Sequence, residues 1–256
     1  MRLSRITTIL AALAAVLIIT MSAAVPADAI MLVSRSQEVE IGKEVEKQAI
    51  KEYGGLSNDK ALSERVRRVG EKVAAVSTRQ DVTYTYKVLN SDVINAFACP
   101  GGPVLITKKL AQMLDTDEQL AFVLAHETGH VAAQHGRKAI NRSMIAGGLA
   151  SILLGDASDA QKIGVNVMYT LYERGYSRDQ EYQADALGVQ FMSKAQFNSE
   201  GAIMALAKLG LKTTKGVNKY FATHPDTPDR IDRVAQLGGV SDERKQELIT
   251  RVQSDK

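Results

Sequence analysis

The hydrophobic and polar positions of this chain change period along its length, and each period predicts an element. From Ser36 to Lys51 apolar residues recur at Val39, Val45 and Ile50 with Glu and Lys between them, the spacing of an amphipathic helix. Asp59 caps a second helix that runs to about Val76. The period then shortens to two. Val82 to Leu89 alternates as a strand, and Val93 to Ala98 and Pro103 to Ile106 read as short strands around Pro100-Gly101-Gly102. Thr116-Asp117-Glu118-Gln119 is a capping box that opens another helix. The run Leu120 to Ala125 within it is apolar on nearly every face, which marks the helix as buried. Ser177 and Gln180 form a further capping box and start a helix that carries Glu181 and Asp185 on one face.

Between these two capped helices lies an apolar, glycine-containing stretch from Met144 to Leu154, a break at Gly155 to Ser158, and an amphipathic helix from about Ala160 to Tyr172. Thr227 before Pro228 is a helix start with proline at the first helical position, and a charged helix begins at Ser241. Together the elements predict an α+β fold, mostly helical, with a small β-sheet directly before the buried helix.

Composition adds boundaries. With 256 residues, 45% hydrophobic and 24% charged, the chain can bury a full core. Its net charge of +3 is spread out, with no basic block and no basic-aromatic interleaving, so nucleic acid is not an expected partner. Arg2 and Arg5 precede an apolar stretch from Ile6 to Met21, and Ala27-Asp28-Ala29 follows. This is the layout of a signal peptide over 1–29, cleaved after Ala29, with Ala24 as the alternative site. An uncleaved anchor is the competing reading, but the apolar stretch is short for a span. Residues 30–256 then form a single domain, and no repeat period follows Ser241, so no repeat domain is expected. The stretch 144–154 is too short to cross a bilayer; core packing, a lid and a membrane-surface contact are the readings open to it. The lone Cys99 is expected to be buried.

The candidate chemistry sits in the buried helix. His126-Glu127-Thr128-Gly129-His130 places two imidazoles one turn apart on the same face, where both reach one ion. Glu127 lies about 100° round the helix, in reach of a water on that ion without ligating it. Metal-assisted peptide hydrolysis needs this arrangement. A metzincin would continue with a glycine and a histidine where this chain has Ala133 and Gly136, so the third ligand comes from elsewhere. A glutamate from a later helix is the alternative, and Glu181 is the best candidate. The small residues Ala184 and Gly188 let its helix approach closely, and Asp185 is placed to accept the second N–H of a ligating histidine. His135, five residues after His130, is read as pointing away from the ion. The predicted cofactor is one zinc ion per chain, held by His126, His130 and Glu181.

Asn95-Ala96-Phe97-Ala98-Cys99-Pro100-Gly101-Gly102, the histidine box, Glu181 to Gly188, and Thr223-His224-Pro225 with Arg230 follow one another in a familiar order. By these stretches the chain resembles zinc metallopeptidases of the HtpX and CAAX-prenyl-endopeptidase type, in the soluble, signal-peptide-bearing branch similar to periplasmic BepA-like proteases. Cys99 departs from that pattern, which usually has an aliphatic residue there. The resemblance implies a gluzincin fold, a periplasmic or secreted location, and unfolded or misassembled cell-envelope proteins as substrates. It implies hydrolysis by a zinc-bound water with Glu127 as general base. It also places His224 and Arg230 near the zinc. Two roles are open to His224: steadying the oxyanion, with Arg230 as the other donor, or occupying the open metal position and holding the enzyme latent. In zincins an edge strand receives extended substrate, and Asn95, Ala96, Phe97, Gly101 and Gly102 are the candidates for it. The alternative function is a periplasmic chaperone or assembly factor with a latent or structural zinc site.

Overall fold

The computed structural model describes residues 32–146, 162, 166–167, 170, 175–211, 220, 224 and 229–254. Helix α1 (Arg35–Glu52) begins at a reciprocal capping box, in which the Ser34 hydroxyl accepts from the Gln37 N–H and the Gln37 carboxamide accepts from the Ser34 N–H. That box starts the helix slightly ahead of its apolar spacing. Helix α2 (Lys60–Ala74) is capped by Asp59, as expected.

Strands β1 (Thr85–Leu89), β2 (Ala96–Ala98) and β3 (Pro103–Thr107) form a three-stranded sheet in the order β1-β3-β2. β3 is central, parallel to β1 and antiparallel to β2. The strands are shorter than their alternation predicts. Thr85 pairs with Pro103, the first residue of β3, so residues 82–84 have no strand opposite them. The sheet has two buried faces. Ala96, Ala98, Val104 and Ile106 join one core cluster, whereas Phe97, Cys99 and Leu105 join another with Ile41 and Val45 of α1. This is the period-two alternation of a strand buried on both sides. Cys99 is buried and unpaired.

A short helix, α3 (Lys108–Met113), follows β3 directly; its six residues are too few to show a period. Helix α4 (Asp117–Ala132) holds the histidine box, and every residue from Gln119 to Val131 is buried. Only half of its expected capping box forms. Thr116 Oγ accepts from the Gln119 N–H, but the Gln119 carboxamide accepts from Asp115 rather than from Thr116. Helix α5 (His135–Ala146) follows after a break at Ala133 and Gln134.

Helix α6 (Arg178–Lys194) starts at the predicted box of Ser177 and Gln180 and packs along α4. Helix α7 (Glu200–Leu211), apolar on most of its length, covers a second side of α4. Helix α8 (Arg230–Leu237) follows the described residue Asp229. Its first flanking residue, Asp229, makes no capping bond, because its carboxylate accepts from the Tyr182 hydroxyl instead. Helix α9 (Asp242–Ser254) is the predicted charged helix.

Several predicted segments fall outside the described residues. These are 1–29, the apolar stretch beyond Ala146, most of 160–172, and Thr227-Pro228. Of 160–172, Lys162, Asn166, Val167 and Thr170 are described, all helical. Among the described residues no helix is long and apolar enough to cross a membrane.

Candidate metal centre and active site

Helices α4 and α6 meet at their smallest residues. A Cβ on Gly129 would come within 3.0 Å of the Ala184 carbonyl, and one on Gly188 within 3.2 Å of the His126 nitrogen. This close approach brings the first two turns of α6 against the histidine box. The Nε2 atoms of His126 and His130 lie 3.1 Å apart. Glu181 presents Oε1 at 3.4 Å from His130 Nε2 and Oε2 at 3.6 Å from His126 Nε2. His224 adds its Nδ1, 3.2 Å from His126 Nε2 and 3.0 Å from Glu181 Oε1. Each of these side chains offers one ligand atom within 4.8 Å of the others, and all are buried.

The far sides of the imidazoles explain why their inner nitrogens converge. Asp185 Oδ1 lies 2.8 Å from His126 Nδ1. A carboxylate only accepts, so this contact puts the imidazole proton on Nδ1 and leaves the Nε2 lone pair facing inward. Asp185 is itself gripped by Arg230, whose Nε and Nη2 lie 2.8 and 2.7 Å from its two oxygens. The third Arg230 nitrogen, Nη1, is in ion-pair contact with Glu181 Oε2 at 3.1 Å. Arg230 is therefore near the centre, with its donors turned to the two carboxylates.

His135 does not point away. Its Nδ1 lies 2.7 Å from His130 Nδ1, and its Nε2 lies 3.0 Å from Gln183 Oε1. On a straight helix a residue five positions on would sit about 140° round from His130. Gln134, however, has a left-handed φ of 58°, which ends α4 and swings the start of α5 back toward the box. All four histidines of the chain thus lie in one contiguous cluster. Two aromatic residues complete it: Tyr176 stacks on His130 at 3.7 Å and Tyr220 on His224 at 4.5 Å between ring centroids. No periodicity or motif in the sequence distinguishes these tyrosines.

The charges are set by burial and by neighbours. Burial holds His130 well below the ordinary histidine range, so it is neutral near pH 7 with a lone pair to give. Burial pushes Glu181 upward, but attraction to His224 and His126 outweighs it, and the carboxyl stays well below its usual range. Burial raises Glu127 above the usual range, with His224 and His126 pulling the other way. Neither Glu127 oxygen makes a hydrogen bond of normal geometry, although His224 Nε2 lies 3.3 Å from Oε1. A buried group with two inward lone pairs, an ionised carboxylate and further unpartnered oxygens has the donor set of a divalent-cation site. His126, His130, Glu181 and His224 can hold a metal ion.

The segment from Asn95 to Gly102 flanks this centre, and its residues have different surroundings. The Asn95 backbone is engaged by Thr107, and its carboxamide donates to the Tyr53 hydroxyl. Phe97 packs on Tyr53. Cys99 N donates to Pro103 O and Thr107 N to Asn95 O, so alternate residues Asn95, Phe97 and Cys99 face β3. Ala96 and Ala98 are the non-hydrogen-bonded positions of this antiparallel pair, and their backbone groups face the outer edge of β2. Among the described residues no strand pairs there. Gly101 and Gly102 lie in the β2–β3 turn with positive φ. A Cβ on Gly101 would strike the Val39 backbone, and one on Gly102 the Thr83 carbonyl. The Gly101 N–H donates to Glu38. These glycines pack the turn against its neighbours.

Comparison with known proteins matches this arrangement to one family. The model of "Peptidase family M48" matches residues 60–237, which contain every ligand atom described above. The mitochondrial metalloendopeptidase OMA1 of Schizosaccharomyces pombe is 28% identical over 212 residues, covering 80% of this chain and 62% of that protein. The beta-barrel assembly-enhancing protease of Escherichia coli strain K12 is 26% identical over 210 residues, covering 77% of this chain and 43% of that protein. The OMA1 metalloendopeptidase of Arabidopsis thaliana is 28% identical over 164 residues, 64% of this chain and 33% of its own length. The chain therefore spans between a third and three-fifths of the length of these relatives. With the family model covering most of the chain and the histidine box, Glu181 and His224 gathered at one buried point, the chain belongs to peptidase family M48.

Proposed function

We propose that this protein is a zinc-dependent endopeptidase in which His126, His130 and Glu181 hold one zinc ion and Glu127 is the general base. The observation that carries this reading is the convergence of two imidazole lone pairs and an ionised carboxylate beside a carboxylate with no hydrogen bond of normal geometry. When bound, zinc supplies a Lewis acid that makes water acidic near neutral pH and polarises a carbonyl. The protein supplies the rest. Asp185 keeps the His126 proton on Nδ1, and Arg230 holds Asp185 and Glu181 in register. Glu127, raised by burial, takes a proton and returns it to the leaving amine, work typically worth about 10²–10⁴ in rate. Extended substrate adds to the outer edge of β2, through the backbones of Ala96 and Ala98.

His224 supports a more specific form of the reading. Its Nδ1 points at the same place as the ligand atoms, and the whole centre is closed to solvent. We read this as a latent state in which His224 takes the fourth metal position and its Nε2–H faces Glu127. Burial opposes a proton on His224, but Glu127 and Glu181 outweigh it and raise its pKa above the ordinary histidine value.

The names of the relatives support a reading of substrates and location. Two or more are named for assembly of β-barrels, so unfolded or misassembled envelope proteins fit as substrates of an exported chain cleaved after Ala29. A closed site also keeps the chaperone alternative in view, with the zinc structural. Metal content separates the ligands from the base. Purified mature chain is expected to carry one zinc, Glu127→Gln to keep it, and His126→Ala to lose it, as read by atomic emission. A His126→Ala protein that retains full zinc would remove the proposed ligand set.

A further inference from the structure

His126 and His130 are backed by different chemistry. Behind His126 stands an ionised carboxylate clamped by a guanidinium. Burial pushes Asp185 upward, but the His126 contact and Arg230 outweigh it and keep the carboxyl below its usual range. Behind His130 stand the buried imidazole of His135 and the carboxamide of Gln183, with no charged partner at either contact.

Hydrogen-bond direction along this second chain is fixed from its far end. Gln183 presents an acceptor oxygen to His135 Nε2 at 3.0 Å, so the His135 proton belongs on Nε2. A neutral imidazole protonated on Nε2 has a bare Nδ1, which can only accept. At 2.7 Å from that acceptor, His130 Nδ1 must carry the donor proton, and the lone pair of His130 is left on Nε2, facing Glu181 and His126. Reversing one link would set two N–H groups or two lone pairs against each other.

From this geometry we infer that His135 and Gln183 are positioning residues for the metal centre: a neutral relay that fixes the tautomer and ring plane of His130. Asp185 and Arg230 serve His126 through a charge, whereas His135 and Gln183 serve His130 through hydrogen-bond direction alone. The inference rests on the zinc reading above, and it names residues that the histidine box and its glutamate do not include. Gln183 is the more telling member, since it touches neither the ligand atoms nor His130 and acts only through His135. Losing such an outer contact typically weakens metal affinity by about 10–100-fold.

The test is zinc affinity by competition with a chromogenic chelator, together with nitrogen-15 NMR of the histidine tautomers in zinc-loaded mature chain. His135→Leu and Gln183→Leu remove an acceptor and the terminal acceptor, and each is expected to weaken zinc binding about 10–100-fold. His135→Gln can accept from His130 and donate to Gln183, and is expected to restore affinity to within a few-fold of wild type. The NMR spectrum is expected to place the His135 proton on Nε2. His135 protonated on Nδ1, or leucine variants that melt as folded proteins and bind zinc as wild type does, would overturn the relay while leaving the zinc site intact. If His135→Gln binds zinc as weakly as His135→Leu, the role is one of packing and the relay is likewise overturned. A wild type that binds no zinc overturns both the relay and the metal reading.

Discussion

Arg230 is fully buried and makes two bonds to Asp185 and one ion-pair contact to Glu181. Removing one partner of a buried charge network leaves the others uncompensated, at a cost of about 3–5 kcal/mol. Arg230→Ala is therefore expected to lower unfolding free energy by about that amount in urea melts and to weaken zinc binding in whatever folds. A near-neutral Arg230→Ala would show that Asp185 and Glu181 are held by other groups. At the other end of α4, Asp117 pairs with Arg65 and Arg68 at 2.8 and 2.7 Å. Burial pushes its carboxyl up, but the hydrogen bonds from those arginines win and hold it below the usual range. A depressed folded-state pKa means that the contribution is full above the unfolded value of about 3.9 and is lost as pH falls through the folded value. Partial exposure keeps it small. Asp117→Asn is expected to cost about 1 kcal/mol at pH 7, with the gap to wild type closing progressively below about pH 3.9 in urea unfolding curves. An unchanged gap in acid would mean that shape rather than charge sets the cost. Residues of this kind were legible where spacing determines contact. The i, i+4 pair of histidines and the i, i+4 pair Glu181 and Asp185 needed only a helix. His135 was misread because the helix was assumed straight, and a left-handed glutamine leaves no signature in sequence.

Elements meet here through a few buried polar ties as well as through apolar packing. The Glu38 carboxylate of α1 takes both terminal nitrogens of Arg79 at 2.9 and 2.7 Å and also the N–H of Gly101 at 3.1 Å. Arg79 in turn donates to the Val131 carbonyl, in the last turn of α4. One ion pair thus fastens α1, the β2–β3 turn and the C-terminal end of the histidine helix. Its loss acts on all three. Glu38→Ala is expected to destabilise the protein by about 3–5 kcal/mol, and amide exchange in β2 is expected to accelerate before exchange at the centre of α4. Uniform acceleration would mean that the tie stabilises the whole fold without anchoring the strand. Helix existence was readable from caps: Asp59, Thr116 and Ser177 each accept a backbone N–H at the start of the expected helix. Pairing was less so, since the parallel register of Thr85 with Pro103, which trims β1, is set by the central place of β3 and not by alternation. Helix α3 is too short for any period, and the bond between Tyr182 and Asp229 joins residues too far apart in sequence for spacing to show.

At the scale of the molecule, the buried α4 is the scaffold: Glu181, Asp185 and Gln183 arrive on α6, which packs along it, and Arg230 on α8, which packs against α6. The centre is buried, and in the proposed reading His224 decides whether the peptidase works or waits. The direct test is casein cleavage by zinc-loaded mature chain carrying His224→Ala, with and without the second substitution Glu127→Gln. The account predicts cleavage by His224→Ala above the wild-type rate and its disappearance when Glu127→Gln is added, with zinc still bound. Cleavage that persists in the double variant, or none in His224→Ala with zinc in place, would contradict it.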